Sequence, residues 1–230
     1  MKRILLFICF ILFSISSYGQ GSGLGYMFDI GWSNKSQPTS AYGQSIRTFT
    51  HNGFIRFHNQ KGNNALQLMA GYRMDTIRFQ NFSQFLGSDG SSIMQYNTDA
   101  FIRRNAWKFA VINQFQFLGK PGGIIFSVNT GLFYEHTMNA NRSSYNDELR
   151  YELDEEINRD NLGVTLGGEI RLAWFTIGFK YEKLFRDVLN HDYILSQDLN
   201  FENSTELRGL KLNPGMAYVY LGVNLDFFDD

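Results

Sequence analysis

Residues 23–32 read Gly23-Leu24-Gly25-Tyr26-Met27-Phe28-Asp29-Ile30-Gly31-Trp32, and their order decides the fold class. Leu24, Tyr26, Phe28, Ile30 and Trp32 fall on one side of an extended chain. Gly23, Gly25, Met27, Asp29 and Gly31 fall on the other. Period-two alternation of this kind is the signature of a β-strand. A soluble sandwich also alternates, but its polar face meets bulk water and seldom holds so much glycine. A membrane barrel turns its apolar face to lipid and fills a tight interior with small or polar side chains.

The pattern recurs seven times. Phe49, His51, Gly53, Ile55 and Phe57 oppose Thr50, Asn52 and Arg56, and Leu66, Leu68, Ala70, Tyr72 and Met74 oppose Gln67, Gly71, Arg73 and Asp75. Trp107, Phe109, Val111, Phe115 and Phe117 oppose Lys108, Gln114 and Gln116. Phe126, Val128, Leu132 and Tyr134 oppose Ser127, Asn129, Gly131 and Glu135. Leu162, Val164, Leu166, Ile170 and Leu172 oppose Gly163, Thr165, Glu169 and Arg171, and Phe175, Ile177, Phe179 and Tyr181 oppose Thr176, Gly178, Lys180 and Glu182. Ala217, Val219, Leu221, Val223, Leu225 and Phe227 oppose Tyr218, Tyr220, Asn224 and Asp226. Segments of roughly ten residues have the length a tilted strand needs to cross a bilayer.

The connections test this independently. Those at His58–Asn64, Gly119–Gly122 and Ala173-Trp174 are short, whereas 33–44, 80–100, 137–160 and 185–207 are long. Short and long alternate without exception, as in bacterial barrels with short periplasmic turns and long outer loops. The expectation is an all-β, eight-stranded, antiparallel up-and-down transmembrane barrel.

The chain opens with Lys2-Arg3, the apolar run Ile4 to Ile15, and small residues before a cut after Gly19. That is the anatomy of a secretory signal peptide, and the run is shorter than the roughly 18–20 residues of a spanning helix. Residues 1–19 are expected to be the signal peptide and 20–230 the barrel, in the outer membrane. The single cysteine, Cys9, lies in the expected leader, so the mature chain has no disulfide and no cysteine-ligated metal. With 21 basic and 22 acidic residues there is no basic field for nucleic acid. The 22 Phe, 12 Tyr and 22 Gly suit a barrel and, with no second long apolar run, exclude a helical membrane protein.

In this architecture the chain resembles the small outer-membrane barrels of the Bacteroidota, the OmpA/OmpX-like and PorT-like families, over residues 20–230. The Ser17-Tyr18-Gly19/Gln20 junction has a form common at their processing sites. Such chains often end on an aromatic residue, whereas here Phe227-Phe228 precedes Asp229-Asp230.

The expected lumen carries Arg56, Arg73, Lys108, Arg171 and Lys180 against Asp29, Asp75, Glu135, Glu169, Glu182 and Asp226. Near-balanced charges in a narrow interior predict a salt-bridged plug rather than an open pore. Three outward positions break the apolar rule: His51, Gly53 and Asn113. Either the phase slips at a bulge, or this wall faces another membrane protein. In the loop 137–160, Tyr145, Leu149, Leu153 and Ile157 recur every four residues, which predicts a short helix with one apolar stripe. Phe82, Phe85, Leu86, Val188, Leu189, Tyr193, Ile194 and Leu195 make the other long loops apolar too. These loops either pack over the barrel mouth or present a surface to a partner.

Enzyme chemistry needs a nucleophile beside a base. His51, His58, His136 and His191 offer no such pair in sequence, and histidine metal spacings and phosphate loops are absent. The carboxylates of the 137–160 loop match no fixed calcium-ligand spacing and read as a solvated surface. The expected function is therefore a non-enzymatic integral barrel, an accessory or interaction subunit of a larger outer-membrane assembly, without cofactor or metal. A narrow solute channel is the alternative, and a lipid A-modifying barrel enzyme the third reading. The expected partners are outer-membrane lipid, lipopolysaccharide and other outer-membrane proteins.

Overall fold

The computed structural model describes residues 22–36, 43–59, 64–86, 93–119, 124–144, 150–153, 155–190 and 215–227. The expected signal peptide lies outside them, as do Tyr145, Leu149 and the apolar segment 193–195. Among the described residues there is no α-helix. The strands are β1 (Ser22–Ser36), β2 (Gly43–His58), β3 (Asn64–Leu86), β4 (Ile93–Leu118), β5 (Ile124–Ser144), β6 (Arg150–Glu152), β7 (Asp160–Leu172), β8 (Phe175–Leu184) and β9 (Met216–Phe227).

Eight of these pair antiparallel with their neighbours in chain order, and β1 pairs with β9 to close the ring. In that seam Ser22 faces Phe227 and Trp32 faces Ala217. The ninth strand, β6, has only three residues and adds to the outer end of β5. The fold is thus a closed, eight-stranded, antiparallel up-and-down barrel, in which each strand is paired on both sides along the body of the barrel.

The strands run past the segments that alternation picks out. Residues 80–86 and 93–99, expected in a long loop, continue the β3–β4 ladder as far as Leu86 opposite Ile93. The ladder is made by backbone groups, so it persists where the hydropathy contrast of the side chains ends. The expected helix around 145–157 is a correction of another kind. β5 extends to Ser144, β6 folds back on it, and a turn leads to a bridge between Ile157 and Leu189. A four-residue spacing fits that turn and bridge as well as it fits a helix.

Packing is inverted relative to a soluble protein. Trp32, Phe109, Leu166, Phe179 and Leu221 are exposed, while Arg56, Lys108, Glu135 and Glu169 are buried. Inward glycines make room for inward aromatics in this narrow interior. A Cβ on Gly31 would lie 2.3 Å from Tyr218, and one on Gly178 2.3 Å from Tyr220.

Candidate functional site: the lumen and the outer wall

Two groups of buried polar side chains fill the barrel. The outer group pairs four cations, Arg73, Arg104, Lys108 and Lys180, with Asp29, Asp75, Glu135 and Glu182. Asp75 accepts from Arg73 Nε at 2.8 Å, from Arg104 Nε at 2.7 Å and from Thr48 at 2.6 Å. Glu135 bridges the same two arginines, with Arg104 Nη2 at 3.0 Å. Lys108 donates to Glu182. Lys180 sits 2.5 Å from Asp29 Oδ2 and 3.2 Å from Glu182, and Asn52 also donates to Asp29 at 2.8 Å. The ring of Tyr218 stands among these cations, 5.2 Å from Lys180, 5.8 Å from Lys108 and 5.9 Å from Arg73.

Glu169 centres the inner group. It accepts from Gln114 and Asn129 at 3.1 Å each and from Tyr220 at 3.0 Å, with Arg171 at 3.4 Å and Arg56 at 3.7 Å. Gln114 in turn donates to Gln67 at 2.9 Å. Buried charges are tolerable only when partnered in this way.

Ten of the eleven residues expected in the lumen thus have described side chains, and these ten are buried inside it. The exception is Asp226, whose backbone pairs with Gly23 and whose side chain lies outside the described set. Arg104, central to the outer group, was not among the expected residues. It lies outside the apolar stretch of β4, so hydropathy alternation gives no sign of it. Its even-numbered parity with Lys108 is the signal that could have found it.

An apolar layer closes the outer mouth above the first group. Ile46, Ile77, Ile102, Ala140 and Leu184 come from strands β2, β3, β4, β5 and β8, and Leu153, Ile157, Val188 and Leu189 from the two segments that follow β6 and β8. Leu153 is 6% exposed and Ile157 5%, so these two residues of the expected partner-facing stripe point into the barrel instead. Burial of apolar surface over the mouth outweighs leaving it in water. Hydrogen bonds lock the segments together: Asn158 donates from its backbone to Val188 and from its side chain to Asp187 and Leu189, and Asn190 donates to Glu156. Between this layer and the outer ion group about 20 Å³ of space is left. That holds about one water molecule.

On the outer wall the alternation keeps its phase. His51 and Gly53 are exposed, and Asn113 is part-exposed between Ile112 and Gln114 of the inner face. The β4–β5 register shifts fall at Asn105/Ala106 and Gln116/Leu118, not at Asn113. The Tyr26 hydroxyl and His51 Nδ1 are 2.5 Å apart, and the Phe28 ring lies tilted 5.0 Å from the imidazole. Tyr134 and His136 both reach Asp160, at 2.5 and 2.8 Å, at the outer end of β7. This is a base held by a carboxylate; Thr137, the next residue, points inward and is buried.

No protein-family model and no curated protein sequence matches the chain. Solved structures similar to it include the N-terminal β-barrel domain of Pseudomonas aeruginosa OprF, 13% identical with a TM-score of 0.40, covering 90% of this chain and 100% of that one. Neisserial surface protein A is 11% identical with a TM-score of 0.37, over 90% of this chain and 97% of that one. Ail of Yersinia pestis is 11% identical with a TM-score of 0.38, over 91% and 100%. On its own register and packing, the molecule belongs to the class of closed eight-stranded barrels with a polar, ion-paired interior and an apolar exterior.

Proposed function

We propose that this chain is a non-enzymatic integral protein of the bacterial outer membrane, a sealed barrel that serves as an accessory or interaction subunit of a larger envelope assembly. The observation that carries this reading is the combination of an apolar outer wall with a lumen filled by two ion-paired groups beneath an apolar lid. An apolar wall of this extent calls for lipid around it. Among the described residues the lumen is filled by partnered polar side chains, with about 20 Å³ left beneath the apolar layer, and this supports placing the protein's work on its exterior. Export by the expected signal peptide belongs to the same reading.

Planar bilayers test the reading against a narrow channel. The purified barrel should insert without producing current steps above the bare membrane. Reproducible unitary conductance, lost when the lumen is altered, would overturn the sealed barrel in favour of a solute channel. Among the described residues the His136–Asp160 pair is a place where lipid chemistry could be sought. Lipid A mass profiles should be the same with and without the protein.

A further inference from the structure

Tyr26 and His51 put polar atoms on a stretch of wall that is otherwise apolar. Both side chains are exposed on the outward face of β1 and β2, among Leu24, Phe28, Phe49 and Ile55. Their mutual hydrogen bond, 2.5 Å between the Tyr26 hydroxyl and His51 Nδ1, does not satisfy them. An imidazole and a phenol bring at least two donors, one N–H and one O–H, and the bond between them uses one. Whichever tautomer His51 adopts, a donor is left over, and it has no second partner among the described residues.

The depth of this pair matters. His51 pairs with Phe28, the central residue of the outward series Leu24, Tyr26, Phe28, Ile30 and Trp32. Arg47, the next charged residue farther out on the same face of β2, is four residues away. That is about 13 Å along the strand and, at a tilt of about 40°, about 10 Å in depth. Lipid ester groups and water lie at the edge of the hydrocarbon, so they do not reach the middle of the wall. A donor left unmet in hydrocarbon is strongly unfavourable.

Beside the pair the wall is hollow. Gly53 pairs with Tyr26 on one side and Ala70 on the other, and a Cβ on Gly53 would meet nothing within 4 Å. Leu24, Ile55, Leu68 and Phe109 border the hollow.

We infer that this wall is where a membrane-spanning segment of another protein docks. The segment offers an acceptor oxygen, from a hydroxyl, an amide or a backbone carbonyl, to the free donor of the Tyr26–His51 pair. An apolar side chain of the same segment fills the hollow at Gly53. Bilayer acyl chains fill a hollow equally well but bring no acceptor to this depth. A second copy docking through the same wall brings the same surplus of donors. The inference names the kind of partner for the interaction role proposed above, and it rests on that reading.

Two measurements test it. In the isolated barrel in phosphatidylcholine vesicles the surplus donor is unmet, so Tyr26→Phe/His51→Phe should raise the urea midpoint of unfolding. A lowered or unchanged midpoint would overturn the inference, because the pair would then be satisfied without a partner. In native membranes, a photo-crosslinking phenylalanine analogue at Ile55 should join the membrane-spanning segment of one other protein, identified from the joined peptide by mass spectrometry. The same analogue at Ile177 on β8, three strands away round the ring, should give lipid adducts. The protein adduct at Ile55 should fall about fivefold in Tyr26→Phe/His51→Phe and also in Gly53→Leu.

Lipid adducts alone at Ile55, or a joined second copy of this chain, would overturn the docking site. An adduct indifferent to both variants, or the same protein adduct at Ile177, would overturn it too. A barrel absent from the membrane fraction, with no lipid adduct at Ile177, is a separate failure: it overturns the outer-membrane reading itself, and the docking site with it.

Discussion

Glu169 shows at the scale of one residue how this interior is held. It is 4% exposed and gathers Arg56, Arg171, Gln114, Asn129 and Tyr220 around one carboxylate. Removing one member of a buried ion group leaves charge without compensation, at a cost of about 3–5 kcal/mol. Glu169→Gln should therefore lower stability by about 3 kcal/mol in urea unfolding from lipid vesicles, followed by tryptophan fluorescence. Arg171→Gln should do the same, though less severely where Arg56 still faces the carboxylate. Unchanged stability in both variants would mean a wet interior and would restore the channel. Alternation places both residues on the inner face, but nothing in the chain says that Glu169 meets Tyr220 of another strand.

At the scale of elements, the short turns show where the backbone is constrained. β7 and β8 are joined by Ala173 and Trp174 alone, and Ala173 has a φ of 51°, in the left-handed region. A residue with a Cβ costs roughly 1–2 kcal/mol there, whereas glycine adopts the conformation freely. Gly119, with φ of 105°, occupies the comparable end of β4 without that penalty. Ala173→Gly should accordingly stabilise the barrel by about 1 kcal/mol in the same unfolding measurement. A loss of stability would mean that the turn is held by something other than its local geometry. The longer elements teach a different lesson. The β3–β4 hairpin keeps its register to Leu86 and Ile93, although hydropathy stops marking it near Gln80.

For the whole molecule, the alternation of short turns and long connections sets its orientation in a membrane. Both ends of the described barrel, Ser22 and Phe227, lie beside one another at the end with the short turns, and β6 lies at the opposite end. On intact cells a cysteine at Glu152 should react with a membrane-impermeant reagent, and one at Gly122 should not. Labelling at Gly122 alone would invert the arrangement. The barrel was legible because period two is a local property: each strand has one apolar face outward and one polar face inward, and residues i and i+2 record this without knowledge of any neighbour. The eight segments and their inner and outer faces follow from that, whereas the expected long connections 33–44 and 80–100 are in large part strand. Closure and stagger of the sheet are not local, and they decided the rest. They bring Lys180 to Asp29 across 151 residues and set Arg104 between Asp75 and Glu135. They also turn Leu153 and Ile157 inward over the mouth. Such partners are chosen by the shear of a closed ring, which relates residues far apart in the chain through geometry that no single strand contains.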